Sequence, residues 1–232
     1  MDTQIRWEEA QHAESEYWAY LTALDDGIDR VLADNNKIAR RIREWLPNVP
    51  GSVLEIGVGG LGVGVLGYLS EVPERVGVDP LPPPPLTCSD AMRDRVESLR
   101  KGIRLVSAPG ELTPLPQAHF GLAICCNVLD HVRSPQGVIS EVKRLLSPGG
   151  YFYLDVDVFS LAGLAKWHLW TKHSHRNEIL VRAHPHRFRE ANLLDNLDQA
   201  GFQIVKRNKV KLHQSIFGRS WDCQLMAQKS GG

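Results

Sequence analysis

A short apolar run, Val53-Leu54-Glu55-Ile56, leads straight into a stretch in which Gly57, Gly59, Gly60, Gly62 and Gly64 alternate with Val and Leu. The run reads as a buried strand. Glycine lets the backbone that follows turn with positive φ and press against a ligand. In an open parallel sheet such a turn lies at the C-terminal edge, where ligands bind. This junction constrains the fold more than any other segment.

Around it the chain alternates strand and helix. Strands are predicted at 52–56, 75–79, 103–106, 120–126, 151–158, 202–210 and 221–227, and helices at 88–101, 135–146 and 188–199, with a further helix from the glycine cluster toward Leu69. Apolar runs separated by helices predict a mostly parallel sheet with helices on both faces. The last two strands are joined by too few residues for a helical crossover, so they should pair antiparallel. Residues 1–46 read as a helical N-terminal extension ended by Pro47 and Pro50-Gly51. The prolines at 80 and 82–85 predict a rigid extended loop. Residues 159–187, helical and rich in His and Trp, interrupt the alternation and are expected to form a lid or substrate wall.

The 232 residues suit one domain spanning 1–232, with 51–158 as its ligand-binding core. Lys plus Arg and Asp plus Glu each number 27, so there is no bulk positive field to gather phosphates, which argues against a nucleic-acid partner. Cys88, Cys125, Cys126 and Cys223 lack CxxC spacing and read as reduced core residues. The first residues show neither a basic leader nor an apolar stretch, and no run is long enough for a membrane span. We therefore expect a cytoplasmic chain without membrane association.

Asp79 ends the second strand, where an acid can accept hydrogen bonds from a ribose diol. Glu55 lies inside the first strand. A pyrophosphate prefers bare amide donors to a nearby carboxylate, whereas a cationic, amino-bearing ligand can use one. The order hydrophobic, hydrophobic, acid, hydrophobic, Gly, x, Gly over Val53 to Gly59 resembles the first motif of class I S-adenosylmethionine-dependent methyltransferases of the small-molecule type. Gly110-Glu111-Leu112 ahead of Leu115-Pro116, Ile124 to His131, and Glu141 to Gly150 resemble later motifs of that family, so the likeness covers roughly 51–158. It implies a Rossmann-like α/β fold, a seven-stranded mostly parallel sheet with an antiparallel final strand. It also implies S-adenosyl-L-methionine as cofactor, with the glycine loop around its methionine part, Asp79 on the ribose and Glu111 on the adenine. The cofactor residues are then Glu55, Gly57, Gly59, Asp79, Glu111 and Asn127. Three positions depart from the family pattern: Leu61 replaces the third loop glycine, which falls one place late at Gly62; Gly121 replaces a common Asp; and the proline run is atypical.

Methyl transfer is an in-line displacement, and a hydroxyl acceptor must also lose a proton. His131, just past the fourth strand, is the candidate catalytic base. His184 and His186, with His173 or His175, are candidates for the acceptor wall, and Trp7, His12, Tyr17 and Trp18 for a lid. There is no HExxH or paired-cysteine frame, so no metal is assigned. The expected activity is methyl transfer to an oxygen or nitrogen of a small molecule. The alternatives are an RNA or protein methyltransferase, or a methyltransferase-like protein that binds without chemistry. A homodimer is compatible with the sequence.

Overall fold

The computed structural model describes residues 3–173, 184–211 and 220–230; the side chains at 3, 170–173 and 211 lie outside that description. Two helices, α1 (Thr3–Leu21) and α2 (Asp25–Trp45), precede a seven-stranded sheet. The strands are β1 (Ser52–Ile56), β2 (Glu74–Asp79), β3 (Ile103–Ser107), β4 (Phe120–Cys126), β5 (Leu146–Phe159), β6 (Phe202–Lys211) and β7 (Ser220–Lys229). Between them run α3 (Asp90–Arg100), α4 (Pro135–Leu145), α5 (Leu161–His173) and α6 (Glu190–Gln199). The strand order is β3-β2-β1-β4-β5-β7-β6, with β7 antiparallel to both its neighbours and the other pairs parallel.

Alternation along the strands divides the core. Leu54, Ile56, Phe152, Leu154 and Val156 face α4 and α6, where Val138, Val142, Leu193 and Leu197 are buried. Val53, Leu122, Ile124 and Tyr153 face the other way, against Ala39 and Ile42 of α2 and against Val65, Leu66 and Leu69. Helices therefore cover both faces. Leu61 belongs to a third cluster, with Ile28, Leu32, Val63 and Val96, that joins α2 to α3.

The structure corrects or refines the sequence reading in three places. The helix expected toward Leu69 is only a 3₁₀ turn, Leu66–Tyr68. Gly62 and Gly64 both have positive φ, which a right-handed helix cannot hold. The N-terminal extension is broken at Thr22, whose hydroxyl donates to the carbonyls of Trp18 and Ala19. Finally, β5 begins at Leu146. Phe120 pairs with Leu146 but Leu122 pairs with Tyr151, so residues 147–150 bulge out of the ladder rather than preceding it.

Helix α4 is anchored through Glu141. Its carboxylate accepts from the Thr113 N–H (2.9 Å) and hydroxyl (2.7 Å), and takes both Nε and Nη2 of Arg144 at 2.7 Å. Arg144 is partly solvated, which moderates the cost of breaking the pair. Glu141→Ala should lower the unfolding free energy by about 2 kcal/mol, measured by urea denaturation. A loss under about 0.5 kcal/mol would show that the network carries no stability.

Candidate active site

The chain leaves β1 toward β2 and β3, then returns on the other side through β4. The crevice between the C-terminal ends of β1 and β4 is thus a topological switch point. A cavity of about 550 Å³ opens there, and Glu55, Gly57, Gly59, Asp79, Glu111, Asn127 and His131 all line it. The six cofactor candidates and the candidate base therefore line one chamber, within the size range of small-molecule sites, roughly 300–1,000 Å³.

The glycine loop is stapled by two carboxylates. Glu55, 2% exposed, accepts from the amides of Val65 (3.0 Å) and Leu66 (3.1 Å). Gly64, at φ +51°, passes so close that a Cβ there would overlap this carboxylate. Asp79 accepts from Gly59 N–H (2.9 Å) with one oxygen and from Leu81 N–H (3.0 Å) with the other. A carboxylate offers about four lone-pair sites, so Asp79 keeps acceptor capacity toward the cavity. Burial pushes both acids above the usual carboxylate range; the loop amides oppose it, and Glu55 reaches about 7.

The remaining cofactor candidates are also tied into the frame. The Glu111 carboxylate accepts from Ser134 N–H (2.9 Å), and the Ser134 hydroxyl caps α4 by accepting from Gly137 N–H (3.0 Å). Asn127 has φ +53°, a conformation that Asn tolerates better than most residues, and its N–H donates to Asp155 O at 2.8 Å. Pro80 and Leu81, at the start of the proline loop, line the cavity. Pro83 lies against Gly62 instead.

Helix α1 roofs the chamber. Trp7, Gln11, Glu14, Tyr17 and Trp18 line it, and a Cβ on Gly59 would sit 2.8 Å from the Trp18 ring. His12, expected in the same lid, is exposed and pairs with Glu16 away from the cavity (3.6 Å). His131 meets Glu14 through Nδ1 (3.1 Å) and Asp130 through Nε2 (3.6 Å), with the His184 ring 4.2 Å away. His184 lines the cavity; His186 instead binds Val132 O through Nε2 (2.8 Å). The side chain of His173 and all of His175 lie outside the described residues.

A family model described as a methyltransferase domain matches residues 20–207. The chain belongs to the class I S-adenosylmethionine-dependent methyltransferase family. Among curated proteins, this methyltransferase-family chain is 30% identical over 163 residues to uncharacterised proteins of Mycobacterium tuberculosis and Mycobacterium bovis. The match takes in 69% of this chain and 50% of theirs, so the chain spans about half the length of those relatives. Solved structures share the fold. A complex of the Haloferax volcanii Trm112 methyltransferase activator with a methyltransferase aligns with TM-score 0.64 at 16% identity, over 95% of this chain and 98% of that one. The [4+2]-cyclase SpnF aligns at 0.63 and 18%, over 85% and 81%. Magnesium protoporphyrin IX methyltransferase from Synechocystis, solved with S-adenosylhomocysteine, aligns at 0.59 and 18%, over 86% and 85%.

Sequence reasoning missed Glu14 and Asp130. A signal for the first was present: Trp7, Gln11, Glu14 and Trp18 are spaced 4, 3 and 4 apart, which puts them on one helix face. In this methyltransferase-family fold they are the face turned to the cavity.

The raised Glu55 carboxyl carries a pH signature. Between pH 4.5 and about 7 the folded state holds the proton that the unfolded chain has released, so this group's contribution falls as pH rises. Relative to Glu55→Gln, the wild type should lose about 3 kcal/mol of stability across that window. Denaturant melts at pH 4.5 and 7 measure it, and a difference independent of pH would contradict the buried-acid assignment.

Proposed function

We propose that the chain transfers the methyl group of S-adenosylmethionine to an oxygen or nitrogen of a small-molecule acceptor. The observation that carries this reading is the shared chamber, which joins the carboxylate-stapled glycine loop to the His131 cluster beneath α1. A covered cavity of about 550 Å³ suits a small acceptor better than a duplex or a protein segment, and the balanced charge supports the same choice.

In this reading Gly57 and Gly59 let the methionine part approach the backbone. Asp79 takes the ribose hydroxyls, Glu111 and Asn127 flank the adenosine, and the Glu55 carboxylate favours the cationic amino acid end. The sulfonium–methyl bond breaks as the acceptor–methyl bond forms. Sulfur leaves with the electron pair as a neutral thioether, and the acceptor's proton is removed at His131. His184 and the α1 residues Trp7, Gln11 and Glu14 form the acceptor side.

Calorimetry with S-adenosylhomocysteine tests the cofactor site. Asp79→Ala should weaken binding by about 1–3 kcal/mol, and unchanged affinity would reject the ribose assignment. With an acceptor found by screening for S-adenosylhomocysteine release, His131→Ala should cut turnover by about 10²–10⁴-fold while cofactor affinity stays. Near-normal turnover would remove His131 from the chemistry.

A further inference from the structure

Among the described residues, Asp130, His131 and His184 form the one group whose ligand atoms, all within 4.8 Å of one another, could hold a metal ion. Nε2 of His131 lies 3.6 Å from Asp130 Oδ2, and Nε2 of His184 lies 3.7 Å from the same oxygen. Ligands at about 2.1 Å from one cation stand roughly 3–3.5 Å apart, so the two sides that meet at Asp130 would close by tenths of an ångström and the third, between the two rings, by at most about 1.5 Å.

The surroundings fit a built site. Glu14 meets the far nitrogen of His131, Nδ1, at 3.1 Å. The contact is an ion-pair distance rather than a formed hydrogen bond; a small turn of either side chain would let an Nδ1 proton reach the carboxylate and leave the Nε2 lone pair facing Asp130. This carboxylate–histidine arrangement is the usual support behind a metal-bound imidazole. Asp130 is only 8% exposed, and its other oxygen, Oδ1, is buried without a hydrogen bond. Two imidazole nitrogens and a carboxylate oxygen thus converge as a donor set that a cation can occupy.

The placement of His184 is fixed rather than incidental. His186 N–H donates to Asp130 O (3.3 Å), and the His186 ring binds Val132 O. Arg187 also donates to the carbonyls of His184 and His186. These bonds pin the segment carrying His184 to the loop after β4.

We propose that Asp130, His131 and His184 bind a divalent transition metal such as Zn2+ or Fe2+, with open coordination positions facing the cavity. Two imidazoles and one carboxylate match the preferences of these ions. The assignment departs from the sequence reading, which gave the chain no metal. It rests on the reading of the cavity as the acceptor chamber and changes how His131 acts there. As a ligand, it helps a cation hold an acceptor hydroxyl or carbonyl oxygen, and coordination makes a bound hydroxyl easier to deprotonate. Acceptors bearing such oxygens are the favoured class.

The test is titration of the untagged, chelator-treated full chain with Co2+, followed by visible d–d absorption. One equivalent should bind. His184→Ala and Asp130→Asn should each weaken binding by more than 100-fold, and Glu14→Gln, which removes only the support behind His131, by about 10–100-fold. Circular dichroism and S-adenosylhomocysteine affinity report whether each variant is folded; should His184→Ala or Asp130→Asn unfold, Glu14→Gln decides. No saturable binding, or binding unmoved by these changes, overturns the proposal. The cofactor measurement is separate: cobalt binding without S-adenosylhomocysteine binding keeps the metal site and sinks the methyltransferase reading, and the converse does the reverse.

Discussion

Two buried carboxylates hold the functional edge of this molecule in shape. Glu55 and Asp79, from neighbouring strands, together accept four backbone amides, those of Val65, Leu66, Gly59 and Leu81. Buried amides without acceptors would each cost about 1–3 kcal/mol. Without these acids the glycine loop would lose its reason to stay open at the end of β1. Trp18 rests against Gly59 and Gly60, so the roof supplied by α1 depends on the same staple.

The strands were legible because they are apolar runs buried in a sheet, a pattern that needs no partner to be recognised. The stretch after β1 was misread for a physical reason. Leu61, Val65 and Leu69 recur at helical spacing, yet Gly62 and Gly64 between them adopt positive φ, and the same side chains reach the core through turns. The cofactor candidates could be picked out because Glu55 interrupts an apolar strand and the others sit at strand ends or in loops that the alternation predicts. The surroundings of His131 could not: Glu14 comes from α1 and His184 from beyond β5, and no local pattern joins segments so far apart in sequence.

The departures from the family pattern find their explanation in packing. Leu61 is a core residue of the α2–α3 junction, while Gly62 takes the left-handed turn beside Pro83, Leu105 and Arg100. Gly121 leaves room for Pro50; any larger side chain would overlap it. The family match begins at residue 20, so Trp7, Gln11, Glu14 and Trp18 lie outside the shared frame. In the proposed reading, acceptor choice is set beneath α1, around His131.

The central claim is that an adenosyl sulfonium lies over the sheet edge between β1 and β4, and a crystal structure with S-adenosylhomocysteine tests it most directly. The account predicts ribose hydroxyls within hydrogen-bonding distance of Asp79, the amino acid end along Gly57 and Gly59, and the sulfur facing His131. A ligand bound elsewhere, or a loop closed over the chamber with Asp79 turned from it, would contradict the account.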